Sequence, residues 1–188
     1  MKLVDRWLQQ LRIDRALPWV PGDSHALDVG CADGALFVRG RDRIRSGVGV
    51  DVEPTETWPA GPYERRMGRL TELIDDETFD AVIMLAVVEH ASPEELEEWA
   101  TLLPSALRVG GRLIITTPSP MVDRILDWGI RLKLLDGMEA DQHHGFDPET
   151  TPGIFASPAL RLCHHQRFEL GLNYLFVFDR VASGQGKP

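Results

Sequence analysis

Only two of the 188 residues are cysteine, Cys31 and Cys163, and no CxxC pair occurs. Neither a disulfide framework nor a zinc knuckle is suggested by such a chain. Positive charge is also scarce: 20 Lys and Arg stand against 29 Asp and Glu, a net charge of −9. That balance argues against a nucleic-acid partner, because phosphate binding needs a positive surface. One local exception is the series Arg39, Arg41, Arg43 and Arg45. Its alternation near a turn reads as a solvated surface rather than a phosphate groove. No apolar run approaches the roughly 20 residues that cross a bilayer. The segment from Met1 to Gln10 lacks the apolar core of a signal peptide, so a cytoplasmic location is expected. Internal repeats and low-complexity linkers are absent as well.

What is present fits one soluble α/β domain spanning residues 1–188, with an N-terminal helix within residues 1–20 and an inserted, lid-like segment at 119–150. Hydrophobic residues make up 43% and charged residues 26%, ordinary values for a globular protein. Leu3 to about Ala16 reads as an amphipathic helix with Leu3, Trp7, Leu8 and Leu11 on one face. Strands are expected at Ala26 to Val29, Val48 to Val52, Phe79 to Val87 and Arg112 to Thr117. The Pro- and Gly-rich stretch from Thr55 to Arg69 reads mostly as loop. Ser92, Pro93 and Glu95 have the spacing of a capping box, opening a helix that runs toward Arg108 and stops at Gly110-Gly111. Toward the C-terminus a helix is expected around Pro158 to His165, then strand-like runs at Phe168 to Leu170 and Asn173 to Val181. Strands alternating with helices imply a mostly parallel sheet covered on both faces, with its ligand at the carboxyl ends of the strands.

The chemistry concentrates in the run Leu27-Asp28-Val29-Gly30-Cys31-Ala32-Asp33-Gly34. A turn of small residues between strand and helix lets a ligand approach the backbone, and the helix N-terminus offers free N–H groups to an anion. Asp51 ends the next strand about 20 residues beyond Gly30. A carboxylate there can accept two hydrogen bonds from a ribose diol, and the pair is more specific than either part.

These motifs, followed by Phe79-Asp80-Ala81-Val82, Glu89-His90, Arg108-Val109-Gly110-Gly111-Arg112-Leu113 and Thr116-Thr117-Pro118, resemble in order the class I S-adenosylmethionine-dependent methyltransferases. The resemblance is to the small-molecule, type 11-like branch that includes ubiquinone-type O-methyltransferases, and it covers Leu27 to Pro118. It implies a Rossmann-like, doubly wound sheet of seven strands, mostly parallel, with an antiparallel last strand. It further implies S-adenosylmethionine as cofactor and S-adenosylhomocysteine as product. Gly30, Cys31, Ala32 and Gly34 would line the methionine portion, with Asp28 near its ammonium group. Asp51, with Val52 beside it, would hold the ribose, and Leu85 and Glu89 would lie close to the cofactor. Ala32 replaces the usual middle glycine. No carboxylate stands at Gly68-Arg69-Leu70, where many relatives bind the adenine amino group, which leaves backbone groups and Leu70.

Methyl transfer requires a nucleophile held in line with the activated methyl group, and a general base when that nucleophile is a hydroxyl. His90 is the first candidate base; its alternative role is to shape the turn before the next helix. His143 and His144 are further catalytic candidates in the polar loop before Phe146. His164-His165 reads as the end of a surface helix, and no histidine is expected to bind metal. The apolar residues of Met121 to Leu135, Trp128 and Ile130 among them, exceed one narrow helical face. They suit a helix packed on the sheet edge, a lid over a small, partly apolar acceptor, or a patch that meets membrane or a protein partner. Two rival functions remain. An NAD-binding oxidoreductase fits the loop only after two departures from GxGxxG, and a non-catalytic S-adenosylmethionine-binding partner subunit would use the apolar segment for docking.

Overall fold

The computed structural model describes residues 3–73, 77–119 and 146–182. Its elements in chain order are α1 (Leu3–Ala16), β1 (Ser24–Val29), α2 (Ala35–Arg39), β2 (Ile44–Asp51), β3 (Tyr63–Met67), α3 (Leu70–Leu73), β4 (Phe79–Leu85), α4 (Pro93–Ala106), β5 (Leu107–Pro118), α5 (Thr151–Phe155), β6 (Leu160–Phe168) and β7 (Asn173–Arg180). One seven-stranded sheet runs in the order β3-β2-β1-β4-β5-β7-β6. The pairs from β3 to β5 are parallel, while β7 runs antiparallel to both β5 and β6. The expected doubly wound sheet with an antiparallel last strand is therefore the fold.

Strand periodicity explains how both faces close. Leu27 and Val29 of β1, Val82 and Met84 of β4, and Phe176 and Phe178 of β7 join one apolar cluster with Leu70, Leu96, Leu103 and Phe155. Ala26, Ala81, Ile83, Leu175 and Val177, the intervening residues, join the other with Ile13, Ala16, Leu36 and Phe37. The central strands are apolar on both sides, so they read as unbroken hydrophobic runs. One face is covered by α3, α4 and α5 and the other by α1 and α2. The order reverses between β1 and β4, and the carboxyl ends of these two strands form the crevice where such sheets take a ligand.

Four sequence expectations need correction. The inward residues of α1 are Ile13 and Ala16 rather than Trp7, which is 59% exposed. Gln9 and Arg12 turn inward with them, donating to Asp33 Oδ1 and Asn173 Oδ1, each at 3.2 Å, so polar contacts set this helix's register. Within the presumed loop lies β3, a charged strand (Tyr-Glu-Arg-Arg-Met) at the sheet edge, where only one neighbour constrains it. Glycines 110 and 111 belong to β5 instead of ending α4, which stops at Ala106. Most changed is β6: the expected helix near His165 is an edge strand whose exposure alternates, paired antiparallel with β7 with a register shift between Leu162 and His164. His164 stacks on Trp19, and His165 stacks on Phe176 and Tyr174. The segment 121–135 lies outside the described residues.

Candidate cofactor site

Between β1 and α2 the chain turns through Gly30 (φ 73), Ala32 (φ 43) and Gly34 (φ 73). Left-handed backbone suits glycine and strains alanine, so Ala32 is held there by its surroundings. A Cβ on Gly30 would lie 2.5 Å from Val87, and one on Gly34 would lie 2.5 Å from Pro59. Pro59 and its neighbour Trp58 belong to a strap between β2 and β3. Trp58 donates from Nε1 to the Tyr63 carbonyl at 2.8 Å and packs edge-on against Phe37.

The expectation of free N–H groups for an anion needs revision. The Gly30 and Cys31 amides donate to the Val50 carbonyl at 2.8 and 3.3 Å, and the Gly34 amide donates to the Cys31 carbonyl at 2.8 Å. The Ala32 amide donates to Asp51 Oδ2 at 2.8 Å, and the Ala35 amide to Asp33 Oδ1 at 3.2 Å. Protein acceptors thus take the Gly30, Cys31, Ala32, Gly34 and Ala35 amides. Close backbone approach remains, together with negative charge.

That charge comes from Asp51 and Asp33, which lie near the buried Asp28 carboxyl. Asp51 at the end of β2 also accepts from the Glu53 amide at 2.9 Å through Oδ1. Each of its oxygens has a second lone pair with which to accept a hydroxyl. Asp28 is buried at 4% exposure. Burial first, then Asp51 and Asp33, hold its carboxyl well above the ordinary carboxylate range. A cation arriving beside it would reverse that shift. Cys31 is buried too; burial and then the neighbouring Asp28 and Asp51 push its thiol up to about 12. It stays protonated and unreactive near neutral pH.

A cleft of about 170 Å³ opens at these strand ends, with walls that include Gly30, Asp51, Val52, Leu70 and His90. Those expected site residues are brought together. Cys31 and Gly34 are buried within the turn and Ala32 is exposed on it, none of them in the cleft wall, while Asp28 and Leu85 sit at strand ends outside that wall. Leu85 is half-buried, and the following Ala86 is left-handed at φ 57. Glu89 is buried at 3% exposure, within electrostatic reach of Arg12, whose own pKa burial lowers. His90 is exposed. His143 and His144 lie outside the described residues. Among the described residues no cluster of three or more His, Cys, Asp or Glu is placed to hold a metal ion.

Sequence reasoning missed that Glu95, Glu98 and Trp99 wall the cleft together with Arg69. Glu95 read as a capping residue, and it is one: its Oε2 accepts from the Ser92 amide at 3.0 Å. The spacing 95, 98, 99 places all three α4 residues on one helical face, a signal present in the sequence. The arginine series is exposed and paired internally, with Arg39 on Asp14, Arg43 on the Val20 carbonyl and Arg45 on Asp23.

Residues 27–115 match the family model of the methyltransferase domain. No curated protein matches the chain. Among solved structures it is similar to the N-methyltransferase NodS of Bradyrhizobium japonicum, 17% identical, with a TM-score of 0.69 and coverage of 96% of this chain and 100% of that one. It is similar also to the 1,6-didemethyltoxoflavin-N1-methyltransferase of Burkholderia thailandensis, 16% identical, TM-score 0.70, covering 95% and 82%. A third is the magnesium protoporphyrin IX methyltransferase of Synechocystis with bound S-adenosylhomocysteine, 18% identical, TM-score 0.67, covering 96% and 88%.

Proposed function

We propose that this chain, which carries a methyltransferase domain over residues 27–115, binds S-adenosylmethionine and transfers its methyl group to a small, partly apolar acceptor. The observation that carries the reading is the pairing of occupied turn amides with converging carboxylates. A nucleoside bearing a cationic tail and no phosphate suits that environment; the pyrophosphate of NAD does not. Asp51 would accept the ribose hydroxyls. Asp28 would face the ammonium group of the methionine portion, with Gly30 and Ala32 letting it approach the backbone. Cys31 and Gly34 would keep the turn compact beneath it.

When bound, the sulfonium supplies a methyl group already activated for displacement. The chain's own residues must orient the acceptor and exclude water, work that contributes roughly 7–11 kcal/mol when two reactants are well placed. His90 reaches the cleft from solvent and is the residue we assign to proton acceptance where the acceptor is a hydroxyl. Glu89, buried near Arg12, would hold the floor behind Leu85. A small acceptor accords with the likeness to N-methyltransferases, one of them bound to 1,6-didemethyltoxoflavin.

Calorimetric titration of the full chain with S-adenosylmethionine, S-adenosylhomocysteine and NAD tests the proposal. Affinity for the first two and none for NAD is expected. Absence of affinity for both sulfur compounds would overturn it. Label transfer from methyl-tritiated cofactor to small phenols, acids and amines then separates an enzyme from a non-catalytic binding subunit.

A further inference from the structure

Away from the cleft, the carboxyl-end edge of the sheet carries a second polar group, on the face that α1 covers. Thr116 of β5 pairs in register with Leu85 of β4 and Leu175 of β7, and both leucines pack into the α1-side cluster. Asn173, at the start of β7, lies on the same face as Leu175 by strand alternation. It is 1% exposed, accepts from Arg12 Nε at 3.2 Å and donates from Nδ2 to Glu169 Oε2 at 2.6 Å. Arg12 feels Glu89 as well as Glu169, so one guanidinium stands against two carboxylates.

Two oxygens of this group are unsatisfied. Glu169 Oε1 and the Thr116 hydroxyl are buried without a hydrogen-bond partner among the described residues, and Thr116 is wholly buried. An unpaired carboxylate oxygen in such a place is destabilising, and burial raises the Glu169 pKa. The backbone is strained there too: Glu169 and Leu170 are left-handed at φ 51 and 57, and Leu170 is fully exposed, so no apolar burial offsets the strain. Sheet order places the group relative to the cofactor. Asp51 and Asp28 end β2 and β1, and the strands that follow are β4, β5 and β7. With β1 and β2 taken, an acceptor approaches over Leu85, Thr116 and Asn173.

We propose that the acceptor carries an amine, held by Glu169 Oε1 and the Thr116 hydroxyl. This rests on the cofactor reading above and adds the acceptor's chemical class. An ammonium brings three donors and no acceptor, and it offsets the surplus carboxylate. A carboxylate would be repelled by that surplus, and a hydroxyl supplies one donor and no charge. On docking, one N–H proton passes from the ammonium to Glu169. The freed lone pair then forms the N–CH₃ bond as the C–S bond breaks and sulfur keeps its electron pair. The product leaves as a methylated ammonium, and Glu169 returns its proton to water.

The experiment is label transfer by the full chain from methyl-tritiated S-adenosylmethionine to phenethylamine, phenethyl alcohol and phenylacetic acid, with calorimetry of S-adenosylhomocysteine alongside. The three probes share an apolar ring and differ in the reacting group. The amine is expected to be methylated about tenfold faster than either of the others, or more, as for a charge-assisted contact. Glu169→Gln keeps an oxygen for Asn173 without the charge; it should lose this preference with S-adenosylhomocysteine affinity unchanged. Glu149→Gln, whose carboxylate pairs with Arg167 instead, should retain it. Transfer to the alcohol or acid instead, equal transfer to all three, or none to the amine overturns the inference. So does a preference that survives Glu169→Gln; in these cases S-adenosylhomocysteine still binds and the cofactor assignment stands. Should Glu169→Gln fail to fold, Thr116→Val decides, and a retained preference overturns the inference. If S-adenosylhomocysteine does not bind the unaltered protein, the cofactor assignment falls and this inference with it.

Discussion

Burial and two neighbouring carboxylates hold Asp28 protonated above the ordinary carboxylate range, which gives a pH dependence of definite sign. The unfolded chain releases this proton near pH 4, the folded chain later. Stability from this group is therefore complete below the unfolded pKa and lost as pH rises through the folded one. Asp28→Asn is expected to stabilise the ligand-free protein at neutral pH and flatten its stability across that range, as read by denaturant titration at several pH values. The same change should weaken S-adenosylhomocysteine by about tenfold or more, from the loss of a charge-assisted contact of about 1.5–3 kcal/mol. A variant that lost both stability and affinity would place Asp28 in the architecture alone. Asp51→Ala should also weaken the cofactor, by roughly 1–3 kcal/mol; normal affinity would remove Asp51 from the ribose. His90→Ala separates two roles: loss of kcat with KM for cofactor unchanged marks a base, and a raised KM for cofactor with kcat intact marks a wall of the cleft. Left-handed Ala86 (φ 57) suits glycine better, so Ala86→Gly should stabilise by about 0.5–1 kcal/mol after its own entropy cost.

Among the elements, α4 was legible to its first turn because a capping box is local chemistry. Ser92 Oγ accepts from the Glu95 amide while Glu95 Oε2 accepts from the Ser92 amide; Ser92→Ala removes the first of these and should cost about 1 kcal/mol, seen as a Tm lowered by about 2–4 °C. What α4 presents to the cleft was harder to read, since the cap gave Glu95 a sufficient reason to be there. The edge strands show the opposite case. Leu160 to Phe168 has no strong local strand pattern; antiparallel pairing with β7 decides its form. In β3, Arg66 pairs with Glu64 and Glu77 at 2.9 Å each, so charge replaces the apolar alternation that marks a strand in sequence. Tertiary pairing overrides weak local preference at both edges.

For the whole molecule, a ligand that binds only the folded state stabilises it by mass action. At about 100 times its dissociation constant the gain is about 2.7 kcal/mol, or about 5–10 °C in Tm for a chain of this size. Saturating S-adenosylhomocysteine should give that shift, and NAD at the same concentration none. Among the described residues no helix is long and apolar enough to cross a membrane.

By itself the sequence determined the sheet class, the turn from Asp28 to Gly34 and the carboxylate at Asp51. Each depends on contacts along one strand or across one turn, where spacing alone carries the information. Tertiary structure decided the rest: that five amides of the turn and helix start are occupied, that Val87 fills the space beside Gly30 and Trp58 and Pro59 that beside Gly34, and that Arg69 meets Glu95 at the cleft. Those residues come together only when β3 and α4 pack at the same strand ends, and no local periodicity records a meeting between separate elements.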